Sequence, residues 1–258
     1  MSKPKILILD IETAPNLAYV WSFFKTNVAP AMLKENSTIM CWSAKWMGND
    51  DVYYESAQNQ TEGIMLNSLL PLLDEADFVV GHNVSGFDMP KIRGRCLVNG
   101  LRIPQPYKEI DTLKIARKEF GFDSNKLESL AKILGLVEKS SHKKFPGFEL
   151  WSECLKGNDE AWAEMEAYNV QDIVTTEEVY VALRPYATNH PNLGVYMELD
   201  HIVCPKCGSP DQERRGYTTT NVGKYQRYKC NDCGGWHRSR STVYPKDKRK
   251  ALTVNAVG

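Results

Sequence analysis

The sequence predicts an α/β fold, in which a mixed β-sheet is flanked by helices and a small separate module follows at the C-terminus. Strand patterns fall mostly in the first third of the chain, and helical patterns dominate from there to about residue 186. Beyond residue 200, two Cys-x2-Cys pairs in a basic sequence indicate a module that is held together by a metal ion. At 258 residues, the chain has room for one large domain and one such module.

The early part of the chain is expected to supply the sheet. The run Lys5–Ile11 is apolar up to an acidic residue, and Phe78–Gly81 has the composition of a short strand with no polar face. Residues 37–46 alternate in polarity as a half-buried strand does, and residues 51–56 are expected to pair with them across a turn. A hairpin in the sheet means that not all strands run parallel, so the sheet is predicted to be mixed.

Helices are expected to cover this sheet. Apolar spacing predicts them at residues 62–76, 90–99, 113–120, 126–134 and 159–186. Gly100 and Gly135 are expected to stop two of these helices. Asp111 is interpreted as the cap of the helix that begins at residue 113, in preference to a metal ligand.

Two carboxylates end the first apolar run. Asp10 and Glu12 are two residues apart, so on a strand both side chains leave the same face. Acidic residues often close strands at the surface, but Ile6-Leu7-Ile8-Leu9 shows no polar alternation before the pair. A strand buried on both faces that delivers two like charges needs a cation, and carboxylate oxygens suit Mg²⁺.

Two further motifs carry carboxylates. The segment "NVSGFD" places Asn83, Phe87 and Asp88 directly after the apolar strand that ends at residue 81. In the long helical pattern, "YNVQD" places Tyr168 and Asp172 four residues apart, hence on one helical face. Each fragment alone is a weak signal, and packing in the core is the alternative for both aromatic side chains.

Together and in this order, the three motifs resemble those of the DEDD (DnaQ-like) superfamily of 3′–5′ exonucleases, which have a ribonuclease H-like fold. "DIET" at residues 10–13 is similar to the first motif, residues 83–88 to N-x-x-x-F-D, and residues 168–172 to the Y-x-x-x-D of the tyrosine-bearing DEDDy subgroup. This subgroup includes the proofreading domains of family B DNA polymerases. The stretch from residue 144 to residue 172 looks similar to stand-alone phage exonucleases of the YprB-like group.

The resemblance implies a two-metal mechanism. Asp10, Glu12, Asp88 and Asp172 would hold two Mg²⁺ or Mn²⁺ ions, and Tyr168 would orient or help deprotonate the attacking water. Thr13, Asn83 and Phe87 are candidate substrate-binding residues. The expected activity is stepwise removal of 5′-mononucleotides from single-stranded or frayed 3′ ends, with DNA as the preferred polymer and a replication or repair polymerase as a candidate partner.

Four cysteines in the tail form a second predicted metal site. Cys204 and Cys207 are separated by 22 residues from Cys230 and Cys233, in the pattern of a tetrahedral structural Zn²⁺ site. A disulfide framework does not suit a reducing compartment. Because so short a segment buries little core, the metal is expected to hold the module folded.

The sequence between the cysteine pairs alternates aromatic and basic residues and resembles zinc ribbons attached to transposases and other DNA-handling proteins. Tyr225, Arg227 and Trp236 are candidate nucleic-acid contacts, because cations match phosphates and aromatic rings stack on unpaired bases. A protein-docking ribbon is the alternative.

The distribution of charge agrees with nucleic-acid contact. The chain holds 32 basic and 32 acidic side chains, but residues 201–258 hold 12 and 4 of them, which leaves 20 and 28 in residues 1–200. A solvated tail would show the same asymmetry. No secretory signal and no run of the ~20 apolar residues that cross a bilayer is present, so a cytoplasmic protein of a bacterial or phage-infected cell, with no membrane partner, is expected.

The expected domain order is an exonuclease domain at residues 1–188, a linker at 189–200, a zinc ribbon at 201–244 and a disordered basic tail at 245–258. Two other functions remain open at this stage. One is an exoribonuclease or a structure-selective nuclease on the same fold. The other is a zinc-dependent nucleic-acid-binding or adaptor protein with a vestigial nuclease body.

Overall fold

The structure is a computed structural model that describes residues 3–103, 107–136, 144–199, 201–254 and 256. It divides into two compact units, residues 5–180 and residues 181–258 together with the first four residues. The larger unit contains the sheet and most helices, and the smaller one contains the four cysteines of the tail.

The sheet of the larger unit has five strands and is mixed. The described strands of this unit are β1 (Ile6–Thr13), β2 (Leu17–Ala18), β3 (Leu33–Glu35), β4 (Ile39–Trp46), β5 (Val52–Ser56), β6 (Phe78–Gly81) and β7 (Lys108–Asp111). The order in the main sheet is β5-β4-β1-β6-β7, and β2 pairs with β3 alone. β4 runs antiparallel to β5 and β1, whereas β1, β6 and β7 run parallel, which confirms the predicted mixed sheet and its hairpin.

The strand that carries the first two carboxylates is the central one. Its side chains up to Leu9 are buried, as is Ile11, so both faces of β1 are covered. One face packs on a cluster that includes side chains of α1 (Glu62–Glu75) and α2 (Asp88–Val98). Burial on both faces explains the apolar run that precedes Asp10.

The alternation in residues 37–46 predicted a half-buried strand, and this was wrong. Seven of the eight residues of β4 are buried. The polar residues that gave the alternation have partners inside the unit: the Ser43 hydroxyl donates to the backbone oxygen of Asn169, and Lys45 lies 2.5 Å from Glu177 in an ion pair. In the sequence, a polar residue that is buried with a partner cannot be distinguished from a polar residue that faces solvent.

Helices cover both faces of the sheet. The remaining helices of this unit are α3 (Thr112–Glu119), α4 (Leu127–Leu134), α5 (Glu149–Leu155) and α6 (Asp159–Leu183). The five predicted helices are confirmed, while α5 and strand β7 were not predicted. Gly135 ends α4 with a positive φ of 67°, and the carboxylate of Asp111 accepts hydrogen bonds from the backbone N–H groups of Leu113 and Lys114 at the start of α3.

The smaller unit is built on a three-stranded antiparallel sheet. Its elements are β8 (Gln212–Thr220), β9 (Gly223–Cys230), β10 (Trp236–Arg238) and α7 (Lys246–Ala251), and its strand order is β10-β9-β8. The segment 189–200, which was expected to be a linker, is hydrogen-bonded to the rest of this unit. The Leu193 N–H donates to the Pro205 backbone oxygen at 2.8 Å. The basic tail differs from the expected disorder in that it contains α7, and its residues 255, 257 and 258 lie outside the described residues.

Candidate functional site

Three carboxylates converge beside the central strand. Asp10 and Glu12 leave one face of β1, and Asp172 reaches them from α6, with carboxylate oxygens of all three within 4.8 Å of one another. Asp172 is buried and the other two are half-buried. Like charges this close, in partly desolvated surroundings, destabilise one another unless a cation lies between them. The donor set is all carboxylate oxygen, which fits a hard divalent ion such as Mg²⁺ or Mn²⁺.

The fourth predicted carboxylate, Asp88, reaches the same strand by a different contact. It is the first residue of α2, and its Oδ1 accepts a hydrogen bond from the backbone N–H of Ile11 at 3.2 Å. That N–H lies between Asp10 and Glu12 on β1. Burial raises the pKa of Asp88 to about 7, because the hydrogen bonds to its carboxylate offset only part of the desolvation penalty.

The loop before Asp88 is fixed by Asp111. The carboxylate of Asp111 accepts hydrogen bonds from the backbone N–H groups of Asn83 and Ser85 and, at 2.6 Å, from the Ser85 hydroxyl. Asn83 adopts a left-handed conformation with a φ of 72°, which Asn tolerates better than most residues. The residue predicted as a helix cap therefore also shapes the turn that delivers Asp88.

A close approach of two strands begins this turn. A Cβ at Gly81 would lie 2.8 Å from the Leu9 backbone oxygen and 2.8 Å from the Val84 Cβ. Only glycine fits there without a shift of backbone. Further along, Phe87 is 37% exposed, so part of its surface is open to solvent. Thr13, at the end of β1, is half-buried.

Asn169 is a site residue that sequence reasoning did not single out. It lies on α6 between Tyr168 and Asp172, is fully buried, and its side-chain amide donates to Asp10 Oδ2 at 2.7 Å. Its backbone oxygen accepts the hydroxyl of Ser43. The only signal in the sequence was its place inside the third motif, since a buried Asn among helical residues has no periodic signature.

Tyr168 lies one helical turn before Asp172 and is half-buried. Its ring packs edge-on against Trp151 of α5, with 6.0 Å between the ring centroids and an interplanar angle of 76°. The contact with Trp151 orients the tyrosine ring while part of the side chain stays accessible.

Comparison with known proteins decides the family. The model of the RNase H superfamily matches residues 7–184, more than two thirds of the chain. The chain belongs to the RNase H superfamily. No curated protein sequence matches it.

The structure of this RNase H superfamily member is also similar to the solved structure of a family B DNA polymerase from the hyperthermophilic archaeon Pyrobaculum calidifontis. The TM-score is 0.55 at 15% sequence identity, over 72% of this chain and 26% of the polymerase. At this identity the similarity concerns the fold, and the chain corresponds to about a quarter of the polymerase's length. Superfamily membership and the carboxylate cluster together support a nuclease of this fold.

The second candidate metal centre of this superfamily member is its cysteine cluster. Sulfur atoms of Cys204, Cys207, Cys230 and Cys233 all lie within 4.8 Å of one another, with 3.7 Å between Cys204 and Cys233 and 3.6 Å between Cys207 and Cys230. Tetrahedral ligation with metal–sulfur bonds of about 2.3 Å places sulfurs about 3.8 Å apart, whereas a disulfide needs about 2.05 Å. The cluster therefore has the dimensions of a four-thiolate metal site.

Electrostatics within this cluster favour a thiolate at Cys233, whereas hydrogen bonds to the neighbouring sulfurs raise the pKa of Cys207. Hydrogen bonds from Cys204 and Cys207 lower the pKa of the Cys233 thiol well below its usual range. The Gly235 N–H also donates to the Cys233 sulfur at 3.4 Å. Thiolates are the form of cysteine that binds metal.

One face of the small sheet combines cations with aromatic rings. Tyr225 and Arg227 lie two residues apart on β9, so their side chains share one face of the sheet. Arg238 of β10 lies directly opposite Arg227. The Arg227 guanidinium lies 4.8 Å from the Trp236 ring centroid, and that of Arg238 lies 3.9 Å from the Tyr225 centroid. The structure thus brings the predicted nucleic-acid contacts Tyr225, Arg227 and Trp236 to one face and places Arg238, a basic residue of the same stretch, beside them.

Among the helices that the structure describes, none combines the length and apolar character that a membrane span requires.

Proposed function

We propose that the chain is a metal-dependent 3′–5′ exonuclease that acts on single-stranded or frayed 3′ ends of DNA and releases 5′-mononucleotides. The observation that carries the proposal is the convergence of Asp10, Glu12 and Asp172 within 4.8 Å, in a fold of the RNase H superfamily. The order and spacing of the motifs, which resemble the DEDDy subgroup, support exonucleolytic rather than internal cleavage.

The roles of the residues follow from their positions. Asp10, Glu12 and Asp172 would hold divalent ions, and Asp88, which bonds the strand between the first two, would complete the set. Two divalent ions bound there supply an acidified water and charge stabilisation of the leaving 3′ oxygen. The Tyr168 hydroxyl would orient the attacking water, and Glu12 would contact the terminal 3′ hydroxyl.

Each unit would contribute its own contacts with nucleic acid. Thr13, Asn83 and Phe87 would contact the terminal nucleotides, and exposed Phe87 offers a ring for a base. In the smaller unit one structural Zn²⁺, held by the four cysteines, would maintain the sheet whose face carries Tyr225, Arg227 and Trp236. The similarity to a family B DNA polymerase favours DNA as substrate and a replication or repair polymerase as partner.

The decisive experiment is incubation of the full chain and Mg²⁺ or Mn²⁺ with DNA and RNA oligonucleotides labelled at either end. We expect 5′-labelled DNA to shorten stepwise from its 3′ end. Asp10→Asn and Asp172→Asn should each reduce the rate by about a thousandfold or more, while DNA binding persists. Tyr168→Phe should be slower than wild type but active.

Asp74→Asn is the matched control, because this exposed carboxylate lies on α1 outside the cluster, and it should cleave as wild type does. Full activity of either cluster variant would refute the proposed site. Shortening of RNA alone would make the enzyme an exoribonuclease. Binding without any cleavage would favour a nucleic-acid-binding protein with an inactive nuclease body.

A further inference from the structure

The loop of residues 17–28, here called the aromatic loop, exposes large aromatic side chains. Trp21 is 100% exposed, Phe23 96%, Phe24 85% and Tyr19 72%. Aromatic side chains normally bury most of their surface on folding, and a contiguous exposed cluster of them marks a binding surface.

Hydrogen bonds within the loop define its shape. At its base, β2 pairs with β3, and the Tyr19 N–H donates to the Met32 oxygen at 2.9 Å. At its tip, the Thr26 hydroxyl donates to the Ser22 backbone oxygen at 2.7 Å, and the Ser22 hydroxyl donates to the Phe24 oxygen at 3.0 Å. The loop thus presents its rings from a closed, hydrogen-bonded turn.

The aromatic loop is a direct continuation of the carboxylate strand. Tyr19 lies seven residues after Glu12, so their Cα atoms are at most about 25 Å apart. A few nucleotides of an extended strand cover such a span. A strand with its 3′ end among the carboxylates can therefore reach the loop with the nucleotides that precede that end.

Charge and side-chain chemistry favour nucleic acid over a protein partner. Residues 13–34 contain no carboxylate, although residues 1–200 as a whole hold 28 acidic and 20 basic side chains. A polyanionic backbone meets no repulsion from the loop itself. The four most exposed large side chains of the loop all carry flat rings, and every nucleobase offers a face on which such rings stack.

We propose that the aromatic loop stacks on unpaired bases of the strand whose 3′ end occupies the carboxylate site, so that it selects single-stranded over paired ends. The inference rests on the proposed function, because that function places the 3′ end of the strand at the carboxylates. The stacking itself can be measured without cleavage.

The test compares binding of a labelled oligothymidylate by the full chain in Ca²⁺, followed by fluorescence anisotropy. Trp21→Ala and Phe23→Ala should each weaken binding about tenfold. Trp21→Phe and Phe23→Tyr keep a ring and should bind within about twofold of wild type. Tyr53→Ala removes a 41% exposed ring from edge strand β5 and should bind as wild type does.

A hydrolysis assay distinguishes the role of the aromatic loop from that of the carboxylate site. The p-nitrophenyl ester of thymidine 5′-monophosphate has no preceding base, so Trp21→Ala should cleave it at the wild-type rate while its KM for the oligothymidylate rises. Unchanged oligothymidylate binding by both alanine variants, or an equal loss with Tyr53→Ala, would overturn the inference. If wild type binds through the loop but cleaves nothing in Mg²⁺ or Mn²⁺, the proposed function fails and the stacking surface stands.

Discussion

At the scale of single residues, Asn169 shows how the carboxylate site is held in place. Its buried amide holds one oxygen of Asp10 at 2.7 Å, and Ser43 holds its backbone from the neighbouring strand. Hydrogen-bond donors that orient a ligating carboxylate influence metal affinity although they do not touch the metal. On the proposed function, Asn169 would be a positioning residue.

Asn169→Ala should therefore weaken Mn²⁺ binding or lower activity by about 10- to 100-fold, because Asp10 loses the donor that orients it. Calorimetric titration with Mn²⁺ and the metal-concentration dependence of the rate measure this. Ser43→Ala removes only the contact to the backbone and serves as the control, with a smaller effect expected. Wild-type Mn²⁺ affinity in Asn169→Ala would contradict the positioning role.

Local spacing predicted Asp10 with Glu12 and Tyr168 with Asp172, the resemblance to a family added Asp88, and neither of them identified Asn169. Asp10 and Glu12 share a strand face and Tyr168 and Asp172 share a helix face, so local geometry alone brings each pair together. Asn169 bonds a residue 159 positions away, and no local pattern records such a contact.

At the scale of elements, Glu62 links two helices to the sheet. This first residue of α1 accepts the backbone N–H of Ile39 on β4 at 2.7 Å and forms a bidentate pair with Arg95 of α2 at 2.6–3.0 Å. Burial alone would raise the pKa of Glu62, but the hydrogen bonds from Arg95 and Ile39 outweigh it and lower the pKa below its ordinary value.

The lowered pKa has a consequence for stability against pH. A carboxyl whose pKa is lower in the folded than in the unfolded state stabilises the fold above its unfolded pKa, and this stabilisation is lost as the pH falls through the folded value. Glu62→Gln should lower the free energy of unfolding by about 1–3 kcal/mol at pH 7 and by less at pH 3. Urea unfolding at both pH values measures it.

Glu75→Gln is the control on the same helix, because its pair with Lys5 is half exposed and should contribute about 1 kcal/mol or less. An equal loss of stability in Glu62→Gln at both pH values would show that the charge of Glu62 is not what stabilises the three elements.

Two elements of the larger unit that the sequence missed have no pattern of their own. β7 is four residues long and is defined by its pairing with β6, and α5 has seven residues, too few for an apolar period. β4 was found but assigned the wrong burial, because Ser43 and Lys45 are polar residues that α6 satisfies inside the unit. In each case the structure or the burial of the segment depends on a partner that is distant in the sequence.

At the scale of the whole molecule, the two candidate metal centres lie in different units of the chain. The carboxylates belong to residues 5–180 and the cysteines to residues 181–258. Their donor chemistry also differs, since hard oxygens favour Mg²⁺ or Mn²⁺ and thiolates favour Zn²⁺. The two sites should therefore respond separately to chelation.

We expect the purified protein to contain about one zinc per chain by elemental analysis, and Cys204→Ser to lose it. Loss of zinc should unfold the small sheet and weaken DNA binding, while cleavage of the p-nitrophenyl ester in Mg²⁺ continues. Cys96→Ala, which changes a buried cysteine of the larger unit, should keep its zinc. Full zinc content in Cys204→Ser would contradict the four-thiolate site.

Fold class and the two candidate metal-binding clusters could be read from the sequence at this scale, because both depend on local spacing along the chain. The segment at residues 189–200 could not, since its packing depends on contacts such as that of Leu193 with Pro205. A stretch rich in Pro, Asn and Gly has the composition of a linker whether or not it is hydrogen-bonded to its neighbours.

The carboxylate site is assembled from residues that are far apart in the order of synthesis. Asp172 follows Glu12 by 160 residues, so it leaves the ribosome well after the first two carboxylates. Because a domain folds as a unit, a nascent chain that ends before α6 would lack both the helix that covers the sheet and one carboxylate of the cluster. On the proposed function, a chain that ends before α6 would therefore lack Asp172 and would not cleave nucleic acid.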